Sequence, residues 1–138
     1  MDLQKICDDF FNTGDDDNND KGLIIIGAPA PDVSIDELRA VIENDPTERD
    51  IADAFAIASN WWFVAEDAEY DYDEGTEEYI RACKRADDWL ELSDMLEEKI
   101  YVILRSEGIT IPEVGRIDVL EVFMERNGYK DRGGWWVR

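Results

Sequence analysis

The chain has 138 residues, and its 35 acidic and 14 basic side chains give a net charge of −21. This length fits one domain, and a 44% hydrophobic fraction with five each of Trp, Tyr and Phe excludes a disordered acidic tail. Because a field of this sign repels polyanions, we expect no direct nucleic-acid binding and no binding to anionic membranes.

The first third of the chain predicts two short helices around a polar segment. Apolar residues at helical spacing indicate a first helix over residues 3–11. A polar loop follows, and a short apolar run then predicts a strand near residues 23–26. Ser34 and Glu37 form a capping-box pattern, which predicts a helix of about ten residues that ends near Asn44.

Two longer helices are predicted in the middle of the chain. Asp45 and Pro46 match an N-cap followed by proline at the first helical position. An apolar stripe carries this helix toward Tyr70, and Gly75 ends it. Thr76 begins the next helix, whose apolar stripe predicts the central helix of the core. The stripe consists of Tyr79, Cys83, Ala86, Leu90, Leu96, Ile100, Ile103 and Leu104.

The C-terminal part predicts a helix between two short strands. We expect strands at residues 109–111 and 135–137 that pair with each other, and a helix over residues 117–127. This outline is loosely winged-helix-like. The predicted fold class is mainly α (α+β), a single compact helical domain with a few short strands. Residues 1–78 form an acidic helical half and residues 79–138 a near-neutral half of one folding unit.

Residue types limit the chemistry available to the protein. It has no histidine, the commonest general base and metal ligand. We therefore expect no enzyme, no cofactor and no metal site. Cys7 and Cys83 do not form a secreted disulfide framework, and we expect both to be reduced and buried. The N-terminus lacks the basic start and apolar run of a signal peptide, which predicts a cytoplasmic protein.

The negative charge is concentrated in one half of the chain. Residues 1–78 have a net charge of −19 and residues 79–138 of −2. The segment Glu66–Glu78 holds eight carboxylates and no cation, whereas helix surfaces usually mix signs to gain ion pairs. We call this segment the acidic run and predict that it binds a partner. The predicted partner-binding residues are Glu66, Asp67, Glu69, Tyr70, Asp71, Tyr72, Asp73, Glu74, Glu77 and Glu78.

Other candidate sites are weaker. The cluster from Asp15 to Asp20 suggests a calcium-binding loop. Whether this loop is counted from Asp15 or from Asp17, its twelfth position lacks the glutamate that such a loop requires. A solvated loop is the favoured interpretation. Carboxylate pairs for glycoside cleavage carry little information among 35 acidic residues. Arg132 and Arg138 near the second predicted strand are the basic residues that a nucleic-acid-binding module would use.

Size, charge, the lack of catalytic groups and the acidic run together resemble the acidic nucleic-acid-mimic inhibitors of phages and mobile elements, of the anti-CRISPR and antirestriction type. This resemblance implies binding to the basic nucleic-acid-binding groove of a defence nuclease and competition with DNA. Two alternatives stay open. The protein is an immunity protein that neutralises a nuclease toxin, or an accessory or regulatory protein with a C-terminal winged-helix-like module. A toxin gene beside its own gene would favour immunity.

Overall fold

The computed structural model describes residues 1–11 and 30–138, and in these ranges it has five α-helices and one β-hairpin. The predicted mainly helical fold class is confirmed. The predicted strand at residues 23–26 and the Asp15–Asp20 cluster lie outside the described residues. The helices are α1 (Leu3–Phe11), α2 (Ile35–Glu43), α3 (Glu48–Ala68), α4 (Glu77–Ser106) and α5 (Arg116–Arg126); the strands are β1 (Lys130–Arg132) and β2 (Trp135–Val137).

Helices α3 and α4 pack against each other along the most extensive helix pair of the described structure. Every residue of α3 from Ile51 to Ala58 is buried, and a helix that is buried all round lies at the centre of a fold. Four of these eight residues are alanines, which let neighbouring helices approach closely. The central helix is therefore α3, and the prediction that α4 takes this place was wrong. The two halves of the chain share one core.

Helix α4 buries one stripe, whose phase differs in part from the predicted one. Leu90 is 37% exposed, whereas Trp89 is buried and stacks on Trp61 with ring centroids 6.5 Å apart. Leu92 and Leu96 continue the buried stripe. The predicted stripe had a gap between positions 90 and 96, where spacing alone left the helix phase undetermined.

Capping side chains define the starts of α2 and α3. Ser34 Oγ accepts from the Glu37 amide at 3.1 Å, and Glu37 accepts from the Ser34 amide at 3.3 Å, so the predicted capping box is confirmed. The predicted Asp45 cap is wrong, because Thr47 and Asp50 form the reciprocal pair that begins α3. Asp45 instead has a positive φ of 49° in the α2–α3 turn.

The C-terminal strands form a local hairpin. Strand β2 pairs antiparallel with β1, with Lys130 opposite Val137 and Arg132 opposite Trp135. The predicted pairing of β2 with residues 109–111 is wrong, since no strand forms there. Gly133 and Gly134 both have positive φ, which a two-residue hairpin turn of this hand requires. The predicted winged-helix-like outline is present in part. Helix α5 is followed by a hairpin, but the expected strand at residues 109–111 does not form.

Candidate partner-binding surface

The acidic run connects the two longest helices of the described structure. It includes the end of α3, a 3₁₀ turn over Glu69–Asp71, a reversal at Gly75 and the first turn of α4. Gly75 has φ of 85°, a conformation that favours glycine. Thr76 accepts from the Tyr79 amide at 3.2 Å and donates to the Asp73 carbonyl at 2.8 Å. All ten predicted partner-binding residues therefore lie on one connection with defined backbone hydrogen bonds.

The carboxylates of the acidic run face solvent with little compensation. Six of them are exposed, and Glu66 and Glu69 are half-buried. Within the described residues, the run makes one ion pair, from Glu77 to Arg81 at 3.3 Å. Tyr70 is 83% exposed and Tyr72 is 46% exposed. The connection thus presents unneutralised charge together with two aromatic rings.

The position of part of the run costs helix stability. The C-terminal end of a helix carries partial negative charge and favours cations, yet the last turn of α3 has no basic residue and contains Glu66 and Asp67. Helices α4 and α5 have Arg105 and Arg126 in their last turns, whereas α1 and α2, like α3, have no basic residue there. The end of α3 therefore keeps negative charge at a cost in helix stability.

A groove of about 230 Å³ borders one side of the acidic run. Tyr72 and Glu78 line it together with Arg81 and Arg85 of α4. The remaining lining comes from small and apolar residues of α3 and α4. Tyr72 and Glu78 of the acidic run therefore share this groove with two arginines.

A buried charged cluster, which the sequence did not predict, holds three parts of the fold together. The fully buried Asp53 of α3 uses one oxygen, Oδ1, to accept from Tyr129 at 2.6 Å, Arg138 at 2.8 Å and Arg49 at 3.0 Å. Both arginines also pair with Asp8 of α1. The one sign of this cluster in the sequence is Asp53 itself, the single charged residue in the apolar segment 51–58. This cluster is closed to solvent at Asp53 and has a structural role.

The second oxygen of Asp53, Oδ2, is buried without a hydrogen-bond partner. Burial raises the pKa of Asp53 to about 6, although hydrogen bonds from Tyr129 and Arg49 oppose the shift. The folded protein therefore holds this proton more tightly than the unfolded chain does, for which the ordinary value is 3.8. Stability associated with Asp53 is greatest at low pH and decreases as pH rises toward 6.

Asp53→Asn is expected to remove this part of the pH dependence. From about pH 4 to about pH 6, the free energy of unfolding of the wild type should fall by up to about 2 kcal/mol more than that of the variant. Urea unfolding of both proteins across this range measures the difference. Parallel stability curves for the two proteins would contradict the assignment.

The sequence also singled out two cysteines. Cys7 and Cys83 are free thiols, as expected. Cys7 is buried, which raises its pKa and makes it unreactive, whereas Cys83 is half-buried rather than buried. Among residues 1–11 and 30–138, no group of three or more Cys, Asp or Glu side chains is arranged to hold a metal ion. No helix in those ranges has the length and apolar character needed to cross a membrane.

Fold and surface together define a small, mainly helical protein whose distinguishing feature is a carboxylate-rich connection between its two longest described helices. No protein-family model, curated protein or solved structure significantly matches the chain.

Proposed function

We propose that this protein is an acidic inhibitor of the anti-CRISPR or antirestriction type, which binds the basic nucleic-acid-binding groove of a defence nuclease in the cytoplasm and blocks DNA binding by mimicry. The observation that carries the proposal is the acidic run: eight carboxylates on one ordered connection that, among the described residues, makes one ion pair, from Glu77 to Arg81. The inhibitor acts by occupying the groove, and it carries out no chemistry.

The order of the connection supports mimicry. The carboxylates lie on the end of α3, on the 3₁₀ turn, on the reversal at Gly75 and on the first turn of α4, each of which has a defined backbone conformation. The two flanking helices, of 21 and 30 residues, hold both ends of the acidic run. A surface that is ordered before binding loses less conformational entropy on association. The partner's Arg and Lys side chains then meet fixed negative charges.

The charge distribution also favours rapid association. The acidic half carries −19 of the net −21, so the field of the molecule attracts a basic groove from a distance. Complementary fields raise the association rate and turn the partner's groove toward the acidic run. The same field disfavours DNA itself, which agrees with a protein that competes with DNA instead of binding it.

This function predicts a complex that depends strongly on salt. Immobilised protein should retain a basic nucleic-acid-binding protein from a host lysate at about 50 mM salt and release most of it at about 500 mM, because screening shortens the range of surface charges. Mass spectrometry identifies the retained protein, and its purified form is then titrated with the inhibitor across the same salt range. An affinity that is indifferent to salt would contradict mimicry.

A further inference from the structure

Next to the acidic run, α3 and the hairpin present an exposed aromatic face. Phe63 is 38% exposed and packs on the half-buried Trp135, with ring centroids 4.8 Å apart. Tyr70, at 83% exposure, has the most accessible ring among the large hydrophobic side chains of the described residues. We call Phe63, Tyr70 and Trp135 the aromatic face. Exposed rings of this size are the side chains that protein interfaces favour as anchors.

The fold holds the Phe63–Trp135 pair in place. The buried Asn60 amide pairs with the backbone of Trp136, accepting from its N–H at 3.0 Å and donating to its carbonyl at 2.9 Å. A Cβ atom at Gly134 would lie 3.0 Å from Phe63 Cε2, so the absent side chain permits the close approach of the hairpin. The pair is therefore part of the ordered structure before any partner binds.

The aromatic face and the acidic run meet at the C-terminal end of α3. Phe63 and Asp67 are four residues apart on α3, so their side chains lie on the same face of the helix, and Glu66 directly precedes Asp67. Tyr70 follows in the 3₁₀ turn that extends α3. Glu66 and Asp67 thus lie between the two rings along the chain. On the hairpin, Arg132 is opposite Trp135.

We propose that the aromatic face and the acidic run form one docking surface, on which arginine side chains of the basic partner stack on Phe63 and Tyr70 while pairing with the carboxylates between them. This inference rests on the proposed function, because it specifies which basic side chain the partner presents. We therefore expect the part of the partner's groove that contacts the end of α3 to be rich in arginine rather than lysine.

Guanidinium and ammonium groups differ in how they use such a surface. Arginine is planar and weakly hydrated, so it stacks on a ring and binds a carboxylate with its edge at the same time. Lysine is a compact, strongly hydrated charge that pairs with the carboxylate and gains less from the ring. The protein's own arginines already stack in this way, with Arg138 4.8 Å above the Tyr129 ring and Arg126 5.2 Å above Phe123.

The test compares octa-arginine with octa-lysine, two peptides of equal charge. Fluorescence anisotropy with labelled peptides should show that the wild-type protein binds octa-arginine about fivefold more tightly than octa-lysine, as stacking on two exposed rings predicts. In the double variant Phe63→Leu and Tyr70→Leu, octa-arginine affinity should fall to the octa-lysine level while octa-lysine binding stays unchanged. Leucine keeps apolar volume against Trp135, so the fold is retained, and near-ultraviolet circular dichroism verifies this.

Tyr72→Leu is the matched control, since Tyr72 belongs to the acidic run but lines the groove beside Arg81 and Arg85. It should leave the preference for arginine intact. Equal affinities of the wild type for both peptides, or a preference that survives the Phe63 and Tyr70 changes, would overturn the inference.

A further variant separates the two proposals. Amide replacement of the carboxylates in the acidic run should weaken both peptides alike. If it does so and no preference for arginine exists, this inference fails and the proposed function stands. If it changes neither affinity, the proposed function itself fails.

Discussion

Replacing six carboxylates of the acidic run by amides is expected to abolish recognition of the nuclease while the protein stays folded. Each exposed charge at such an interface contributes about 0.5–1 kcal/mol, so six of them correspond to about a 10²–10⁴-fold loss of affinity. Isothermal titration calorimetry with the purified partner measures the loss. The replaced residues are Glu66, Asp67, Glu69, Asp71, Asp73 and Glu74.

The same variant is expected to be slightly more stable than the wild type. Removing negative charge from the C-terminal end of α3 relieves its unfavourable interaction with the helix dipole, by about 0.3–1 kcal/mol for each residue of the last turn. Urea unfolding measures this gain. Lower affinity together with higher stability distinguishes a functional surface from a structural one, because replacing a structural residue lowers both the affinity and the stability.

A matched control carries the same change in net charge elsewhere. Six exposed acidic residues of α4, α5 and their connection are replaced by amides, and this second variant should keep most of the affinity. Equal losses in the two variants would mean that the overall charge, and not the acidic run, governs binding. The control residues are Asp87, Glu91, Asp94, Glu98, Glu113 and Glu125.

Asn60→Ala should lower the free energy of unfolding by about 2–4 kcal/mol, because it leaves a buried backbone N–H and a carbonyl of Trp136 without these partners. Thermal and urea unfolding measure the cost. The hairpin should loosen from α3, so the preference for arginine peptides should decline, whereas octa-lysine binding should persist.

Asn127→Ala provides the comparison for this prediction. Asn127 is half-buried at the end of α5 and donates to the Phe123 carbonyl at 2.9 Å and to Glu48 at 3.0 Å. Its partners retain access to water, so the expected cost is about 1 kcal/mol. A loss for Asn60→Ala no larger than that for Asn127→Ala would show that the hairpin is not held by the Asn60 amide.

The helices could be predicted because their signals are local. The Ser34–Glu37 box and the Thr76 cap involve residues three positions apart, and the structure confirms both. The start of α3 was misassigned because Asp45–Pro46 and Thr47–Asp50 compete for the same role, and the reciprocal side-chain pair prevails. The pairing of β2 depended on the two-glycine turn, whose geometry favours the adjacent strand over the distant segment at residues 109–111.

The candidate site likewise has a part that could be predicted from the sequence and a part that could not. The acidic run is contiguous in sequence, so its charge density was evident before its location on the α3–α4 connection was known. The aromatic face was not evident, because Phe63 and Trp135 meet through the docking of the hairpin on α3. The Asp53 cluster also escaped prediction, since its partners come from α1, α3 and the C-terminal part of the chain. Tertiary packing creates both features.

Displacement of DNA from the purified partner tests the central claim most directly. A labelled duplex bound to the partner is titrated with the wild-type protein and with the variant of the acidic run. We predict that the wild type releases the duplex competitively, that its apparent inhibition constant increases with DNA concentration, and that the variant releases none at the same concentrations. A ternary complex of partner, duplex and wild-type protein, or equal displacement by the variant, would contradict the account.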